Sequence, residues 1–255
     1  MQPGAYMDVA QVTLYVFWIF FAALIFYLRR EDKREGYPLV SDAGGRRPVY
    51  GIPSPPEDKT FLLRGGKTAV APARDNDRGN APVAVTAPWP GAPYVPTGNP
   101  YTDGVGPGSY ADREDVPELT LEDLPIIVPL RVAKGITLDP RDPDPRGMKV
   151  VGCDGQVGGT VVEAWVDRSE ALIRYLEVEV KGGRGTKRIL LPLPFALVDR
   201  PKGYVSVDAI LGAQFADAPT IAKADQVTKR EEDRIVGFFG AGTLYATPWR
   251  SESIV

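Results

Sequence analysis

Residues 9–35 read VAQVTLYVFWIFFAALIFYLRREDKRE, an uncharged apolar stretch with basic residues gathered behind it. No Asp, Glu, Lys or Arg lies between Asp8 and Arg29. A helix over residues 9–28 would be about 30 Å long, which matches the hydrocarbon core of a bilayer. The sequence therefore predicts one membrane-spanning helix. A buried helix of a soluble domain is the alternative, and such helices are rarely so long and so free of charge.

The order of charges distinguishes this helix from a cleaved signal peptide. A signal peptide carries positive charge before its apolar core and small residues at a cleavage site after it. Here only Asp8 precedes the core. The basic residues that follow it are Arg29, Arg30, Lys33 and Arg34. Since basic flanks stay in the cytoplasm, we expect a permanent single-pass anchor with its N-terminus outside. Contact with anionic lipid headgroups is a second, compatible interpretation of the same basic cluster.

Composition limits the chemistry of the remaining chain. The protein has 255 residues, a formal net charge of −3, no histidine and one cysteine. The slight negative charge gives no indication of a nucleic-acid partner. The lack of histidine excludes serine triads and most zinc sites, and the sequence has no phosphate loop or nucleophile elbow. The cysteine, Cys153, fits a cytoplasmic soluble part and is expected to be a small apolar side chain in a strand.

A segment rich in proline and glycine follows the anchor, from about residue 38 to residue 107. Long helices are excluded there, because proline removes a backbone donor and restricts its neighbour. Aromatic residues recur among the prolines, and they include Phe61, Trp89, Tyr94, Tyr101 and Tyr110. We expect an extended strap that lies on a surface and attaches to it at intervals. A flexible linker with incidental rings is the alternative.

Short strands and a final helix complete the predicted order. Strands are predicted at residues 149–153, 159–166, 174–180, 188–193 and 204–207, with Asp154-Gly155 as a hairpin turn. Short strands joined by tight turns favour a small antiparallel barrel or sandwich. In residues 174–180 either Tyr175 or Leu176 begins the apolar face. A helix is predicted over residues 228–237, with Asp225 as its cap.

These patterns divide the chain into four parts. Residues 1–11 are the outer N-terminus, residues 12–35 the transmembrane helix with its basic flank, and residues 36–110 the strap. Residues 111–255 form a cytoplasmic, mainly β domain with a C-terminal helix.

Acidic clusters are the remaining candidates for chemistry. The first holds Asp112, Glu114, Asp115, Glu118, Glu122 and Asp123; the second holds Asp167 and Glu170; the third holds Glu231, Glu232 and Asp233. Each cluster could be a solvated face. The alternative is a relay of carboxylates that passes protons from water to a buried site, with burial shifting their pKa values toward neutrality. Sequence spacing leaves this choice open.

Several short pieces of the chain together form a recognisable set: YLRREDKREGYPL (27–39), KTF (59–61), PTGNP (96–100), DGVGP (103–107), DVPEL (115–119), WVD (165–167), YLEVE (175–179) and EED (231–233). As a set they resemble the H subunit of the purple-bacterial photosynthetic reaction centre. They run in the family's order from the anchor to the C-terminus, and they are specific as a set.

The resemblance implies a single transmembrane helix, a surface segment and a small antiparallel β-barrel of the PRC type with a C-terminal helix. It implies a non-enzymatic subunit that caps the cytoplasmic face of the L and M subunits, stabilises the complex, shields the secondary quinone site and conducts protons to the reduced quinone. Bacteriochlorophyll, bacteriopheophytin, quinones and non-haem iron would be carried by the partner subunits, in a bacterial photosynthetic inner membrane. Antenna-ring polypeptides and anionic lipids are further expected partners.

The resemblance also carries roles to particular residues. The carboxylate that matches Glu170 lies near the quinone pocket, the residue that matches Asp167 lies on the proton route, and the match to Arg174 is paired into the same network. Glu118 and Glu231 match further acidic members. The sequence departs from some relatives at the proton entrance, where a pair of histidines aligns with Glu122 and Leu124 and a nearby lysine with Ile126. We therefore expect Glu122 and Asp123 to serve as the entrance, and no metal to be bound.

Two functions from different classes follow. The first is the structural and proton-delivering reaction-centre subunit. The second is a membrane-tethered β-barrel adaptor that recruits a soluble partner, since small barrels of this kind serve several functions.

Overall fold

The computed structural model describes residues 8–37, 39, 49–72, 81–89, 91–182 and 185–250. Two compact units divide the chain, Met1–Gly79 with Ala87–Ala92 and Asn80–Thr86 with Pro93–Val255. Residues 1–7 of the predicted outer N-terminus lie outside the described residues. The predicted boundary between residues 110 and 111 stays a prediction.

The first unit begins with helix α1, Val9–Glu31, which continues into a 3₁₀ turn at Asp32–Arg34. Asp8 caps its start, because the Asp8 carboxylate accepts the N–H of Ala10 at 3.4 Å. By length and composition the segment Val9–Arg34 can cross a membrane, and an 18-residue window within it has a mean hydropathy of 2.2. No residue of α1 is buried within the protein. This exposure does not fit the buried helix of a soluble domain.

Lys33 lies just beyond α1 and is buried within the first unit, at 4% exposure. Its ammonium donates hydrogen bonds to the carbonyls of Tyr50 (2.6 Å) and Pro53 (2.5 Å), and it lies 5.1 Å from the centre of the Tyr37 ring. Lys33 therefore holds the returning chain against the end of the helix.

Arg34 also binds the chain that follows α1. Its guanidinium pairs with Glu31 at 2.8 Å and donates to the carbonyls of Glu57 (2.8 Å) and Ala71 (3.0 Å). Arg29, by contrast, has a largely exposed side chain. The basic cluster is thus divided between internal hydrogen bonds and an exposed surface.

A hairpin formed by β1 (Lys59–Leu62) and β2 (Thr68–Ala71) completes the described part of the first unit. The second unit contains a smaller hairpin, β3 (Val83–Val85) with β4 (Tyr94–Pro96).

The second unit is built on a seven-stranded sheet with the order β10-β11-β6-β7-β8-β9, and β5 pairs with β7 beside this path. The strands are β5 (Ile127–Pro129), β6 (Lys149–Gly152), β7 (Val157–Asp167), β8 (Leu172–Gly182), β9 (Gly185–Pro192), β10 (Leu197–Asp199) and β11 (Tyr204–Val207). The turn at Asp154-Gly155 joins β6 to β7 as predicted, and the Asp154 carboxylate accepts the N–H of Gly212 at 3.0 Å.

The sheet departs from a purely antiparallel barrel at one described pairing. Strands β6 and β11 run parallel, because a long crossover separates them in the chain. Strand β7 pairs with β6 through its first half and with β5 through its last residues. Register shifts after Val161 and Trp165 bend β7 between these partners.

Helix α2, Lys229–Tyr245, follows the sheet and packs on its core. Trp165, Leu176, Phe215 and Phe239 are fully buried in this core. The predicted order of an apolar helix, a mainly β domain and a C-terminal helix is confirmed. Two local expectations are wrong: Thr228 rather than Asp225 caps α2, and Cys153 lies in the turn after β6 rather than in a strand.

Part of the proline-rich segment is fixed on α2 by close backbone packing. A β-carbon added at Gly237 would lie 2.8 Å from the carbonyl oxygen of Gly108, and one at Gly240 would lie 2.5 Å from that of Pro107. Only glycine permits this approach. Tyr101 packs against Phe238 with ring centres 5.1 Å apart. The strap interpretation of the whole segment stays a prediction, because residues 38, 40–48, 73–80 and 90 lie outside the described residues.

Two buried carboxylates, Glu163 and Glu177, lie opposite each other on β7 and β8. The Glu177 carboxylate accepts the indole N–H of the fully buried Trp165 at 3.0 Å. Three arginines surround the two acids: Arg131 lies 3.7 Å from Glu163 and 3.5 Å from Glu177, Arg146 3.8 Å from Glu163, and Arg188 3.1 Å from Glu177. Buried carboxylates of this kind need such partners.

We expect Glu177→Ala to lower the free energy of unfolding by about 3 kcal/mol, because Trp165 loses its acceptor and the arginines lose a carboxylate. Urea unfolding of the full chain in detergent, followed by tryptophan fluorescence, measures this loss. Glu179→Ala, two residues along β8 at a half-buried position, is the control and should cost much less. Equal losses in both variants would contradict a structural role for the buried pair.

Candidate functional site

The residues before β5 lie along the first turn of α2. The N–H of Lys229 donates to the carbonyl of Val116 at 3.0 Å. The hydroxyl of Thr228 donates to the Asp115 carboxylate at 2.7 Å. The fold therefore brings the acidic cluster of residues 112–123 to the cluster of residues 231–233, which the sequence alone could not establish.

Glu231 closes a capping box at the start of α2. Its carboxylate accepts the N–H of Thr228 at 2.8 Å and that of Ala222 at 2.6 Å. The Thr228 hydroxyl in turn accepts the N–H of Glu231 at 3.2 Å. Both carboxylate oxygens of Glu231 thus bind backbone donors, and its negative charge is favoured at a helix N-terminus.

The neighbouring Glu232 binds Tyr175 of β8. The Tyr175 hydroxyl donates to the Glu232 carboxylate at 2.8 Å, and Tyr175 is 4% exposed. Burial and the adjacent negative charge both raise the pKa of the Tyr175 hydroxyl. The hydroxyl therefore keeps its proton at physiological pH and acts as a fixed donor.

Burial is the largest influence on Glu232 and raises the pKa of its carboxyl. The hydrogen bond from Tyr175 and the positive charges of Arg113 and Arg174 act in the opposite direction, and the negative charge of Glu118 adds to the rise. Residues from the loop before β5, from β8 and from α2 thus act on one carboxyl, whose pKa moves toward neutrality.

Asp233 adds a further acid beside this cluster. One of its carboxylate oxygens lies 3.4 Å from the guanidinium of Arg113. The other is buried and has no hydrogen-bond partner among the residues that the structure describes. Asp233 also contributes to the raised pKa of Tyr175.

Asp167 and Glu170 lie in the turn between β7 and β8. The buried Asp167 carboxylate accepts the N–H groups of Ser169 (2.8 Å) and Glu170 (3.0 Å), so it shapes the turn. The Glu170 side chain is exposed. The N–H of Arg168 donates to the carbonyl of Ile126 at 3.0 Å, which ties this turn to the loop before β5.

Glu122 and Asp123 lie at the exposed end of that loop. The Thr120 hydroxyl accepts the N–H groups of Glu122 (3.2 Å) and Leu124 (3.4 Å), and Asp123 adopts a left-handed φ of 62°. Across the described ranges, no three His, Cys, Asp or Glu side chains are grouped to hold a metal ion.

The structure brings Glu118, Arg174 and Glu232 together. It links the turn of Asp167 and Glu170 to the same loop, while it places Glu231 in a helix cap. The sequence analysis named Glu232 only as a member of the third acidic cluster, without a role of its own, and it missed Tyr175 as a site residue. The helical spacing of Glu232 from the core residues Ile235 and Phe239 was the available indication, because it places Glu232 at the border of the buried face.

A groove of about 460 Å³ lies beside the cluster. Its lining is mostly apolar and consists of Leu172, Ile173, Arg174, Tyr175, Pro192, Leu193, Pro194 and Val236.

Glu232→Gln keeps an acceptor for Tyr175 and removes the ionisation. A carboxyl whose pKa is raised by folding stabilises the folded state below its ordinary value of 4.5, and this contribution is lost as pH rises through the raised pKa. We therefore expect wild type to lose stability relative to Glu232→Gln between acid and neutral pH. Urea midpoints of the full chain across this range measure the difference, with the exposed Glu114→Gln as control. A difference that is constant with pH would contradict the raised pKa.

Two known protein families match this sequence. The sequence model described as "Photosynthetic reaction centre, H-chain N-terminal region" matches residues 3–132, and that of the PRC-barrel domain matches residues 141–214. The two matches confirm the resemblance found in the sequence and the PRC type of the barrel. The chain therefore belongs to the H-chain family of the photosynthetic reaction centre and is a membrane-anchored subunit of that electron-transfer complex.

Proposed function

We propose that this subunit caps the cytoplasmic face of the L and M subunits, stabilises the complex, shields the secondary quinone site and conducts protons to the reduced quinone. The convergence of residues 112–123, residues 231–233 and Arg174 around the Tyr175–Glu232 hydrogen bond carries the proposal. Carboxylates that are a hydrogen bond or one water apart can pass protons, and burial moves their pKa values toward neutrality.

The proposed path begins at Glu122 and Asp123, whose exposed carboxylates exchange protons with water. It continues through Glu118 and Glu232 at the first turn of α2. Asp167 and Glu170 then lead to the quinone, and Arg174 offsets the negative charge of the path. Glu231 supports the path as the cap that orients the first turn of α2.

Tyr175 has a different role from the carboxylates in this proposal. Its raised pKa keeps the hydroxyl neutral, so it orients Glu232 rather than carrying the proton itself. The mostly apolar groove that includes Arg174 is the surface that we assign to contact with the membrane-embedded subunits, because it adjoins the carboxylates without adding a further acidic side chain.

In this arrangement the N-terminus is periplasmic and the β domain cytoplasmic. The exposed Arg29 suits anionic headgroups, together with Arg30 of the same cluster. The subunit itself binds no pigment: bacteriochlorophyll, bacteriopheophytin, quinones and non-haem iron belong to the partner subunits, around which antenna polypeptides assemble. Family membership favours this function over the tethered adaptor.

Flash-induced proton uptake and second-electron transfer in the purified complex test the path. We expect Glu232→Gln and Glu170→Gln each to slow the proton-coupled second electron by about ten- to a hundred-fold, because each removes a proton carrier. The first electron transfer, which needs no proton, should keep its rate. Glu179→Gln, outside the cluster, is the matched control.

Unchanged second-electron kinetics in both Glu232→Gln and Glu170→Gln would refute this path while leaving the subunit assignment intact. A loss of pigment or of the L and M subunits from the variant complexes would instead indicate a role in assembly.

The entrance can be tested with metals, because carboxylates bind Zn²⁺ and Cd²⁺ more weakly here than histidine pairs do. We expect proton uptake in wild type to respond weakly to micromolar Zn²⁺. In the double variant Glu122→His with Leu124→His, Zn²⁺ should inhibit proton uptake strongly, since both positions are exposed. Strong Zn²⁺ inhibition of wild type would show that the entrance lies elsewhere.

A further inference from the structure

The β1–β2 hairpin is exposed on both faces. Its first strand is exposed throughout and its second strand is exposed except for the half-buried Ala71. A lone two-stranded hairpin is marginally stable in water and needs a surface to cover it. The hairpin therefore presents an exposed ribbon within the first unit.

The chemistry of the hairpin is apolar and basic. Leu62 is 86% exposed, and Phe61, Leu63 and Val70 are also exposed large apolar side chains. Residues 59–71 contain no Asp or Glu. Their basic residues are Lys59, Arg64 and Lys67. Leu62 and Leu63 directly precede the turn at Arg64–Gly66, so two exposed leucines lie next to cations at the tip.

Hydrogen bonds fix the base of the hairpin at the basic, C-terminal end of α1. Arg34 donates to the carbonyl of Ala71, the residue that pairs with Lys59 at the open end of the hairpin. Since α1 is about 35 Å long, its basic end lies at the level of the headgroups. The hairpin extends about 13 Å from its base, a reach that keeps its tip near that surface.

We propose that the tip of the β1–β2 hairpin inserts into the bilayer interface at the basic end of α1. Leu62 and Leu63 enter the boundary between headgroups and acyl chains, while Lys59, Arg64 and Lys67 bind the phosphates of anionic lipids. This is the pattern of interfacial segments, in which apolar side chains enter and long basic side chains reach the headgroups. The hairpin becomes a second membrane contact, which limits rotation of the first unit about the single helix.

The absence of acidic residues from residues 59–71 favours an anionic lipid surface over a protein as the partner. The inference rests on the membrane anchor and is independent of the proton path, so failure of either leaves the other standing.

The test uses the complete complex, reconstituted in vesicles of phosphatidylcholine with or without phosphatidylglycerol. An environment-sensitive fluorophore is attached at Leu62→Cys in a Cys153→Ala background. The complex with Cys153→Ala alone reports labelling of the other subunits. Leu197→Cys, a 67% exposed leucine of β10, is the matched control. Lipids that carry a spin label in the headgroup or upper acyl chain then serve as quenchers.

We expect blue-shifted emission from the fluorophore at position 62, and we expect the spin-labelled lipids to quench most of that emission. The fluorophore at position 197 should show little blue shift and little quenching. Emission typical of water at position 62 would overturn the proposal. Blue-shifted emission that the lipids do not quench would also overturn it, because a protein surface would then cover the hairpin.

The charges can be tested separately. Phosphatidylglycerol should increase the quenching at position 62, and replacing Lys59, Arg64 and Lys67 with Gln should abolish that increase. Equal quenching in both lipid mixtures would overturn the assignment to anionic lipids. Leu62 lies at an exposed position, so its replacement leaves the fold intact.

Discussion

The acidic cluster depends on the docking of the first turn of α2 between the sheet and the residues before β5. The core residues Ile235 and Phe239 set the rotation of α2, because both are fully buried. With the helix in this rotation, Glu232 faces Tyr175 of β8 and receives its hydroxyl hydrogen bond. The position of a partly buried carboxylate thus follows from apolar packing, and a rotation of α2 that exposed Glu232 would also expose its apolar face.

The helices and strands with a clear hydrophobic pattern could be predicted from the sequence. The side chains that they contact elsewhere in the chain could not. The uncharged run gave α1, and β-branched residues between turn signals gave β6 to β9. On β8 the choice between Tyr175 and Leu176 as the start of the apolar face had no single answer, because both are buried, as is Glu177. A strand covered on both sides loses the alternation that sequence reasoning uses. The arginines around Glu177 come from distant parts of the chain, so no local pattern indicated them.

The cap of α2 and the packing of the proline-rich segment are two further features that local sequence patterns did not determine. Both Asp225 and Thr228 are good cap residues, and Glu231 three positions after Thr228 decides between them through the capping box. In the sequence, Gly106 and Gly108 are part of the proline- and glycine-rich segment, with no partner indicated. The tight approach of this segment to Gly237 and Gly240 depends on where α2 passes, which is a property of the folded unit.

A proton path without histidine needs carboxyl groups whose pKa values lie closer to neutral pH, and burial is what raises them. An unperturbed Glu has a pKa of about 4.3, so an exposed carboxylate alone releases its proton too readily to hold one at neutral pH. Burial shifts the pKa of Glu232 upward, while Arg113 and Arg174 limit the rise. Tyr175 contributes a hydroxyl donor that does not ionise near neutral pH, because its pKa is raised. Covering this face with another subunit would remove more water from Glu232 and raise its pKa further. In the proposed path, assembly would then tune the same carboxyl to which the exposed Glu122 and Asp123 would supply protons from water.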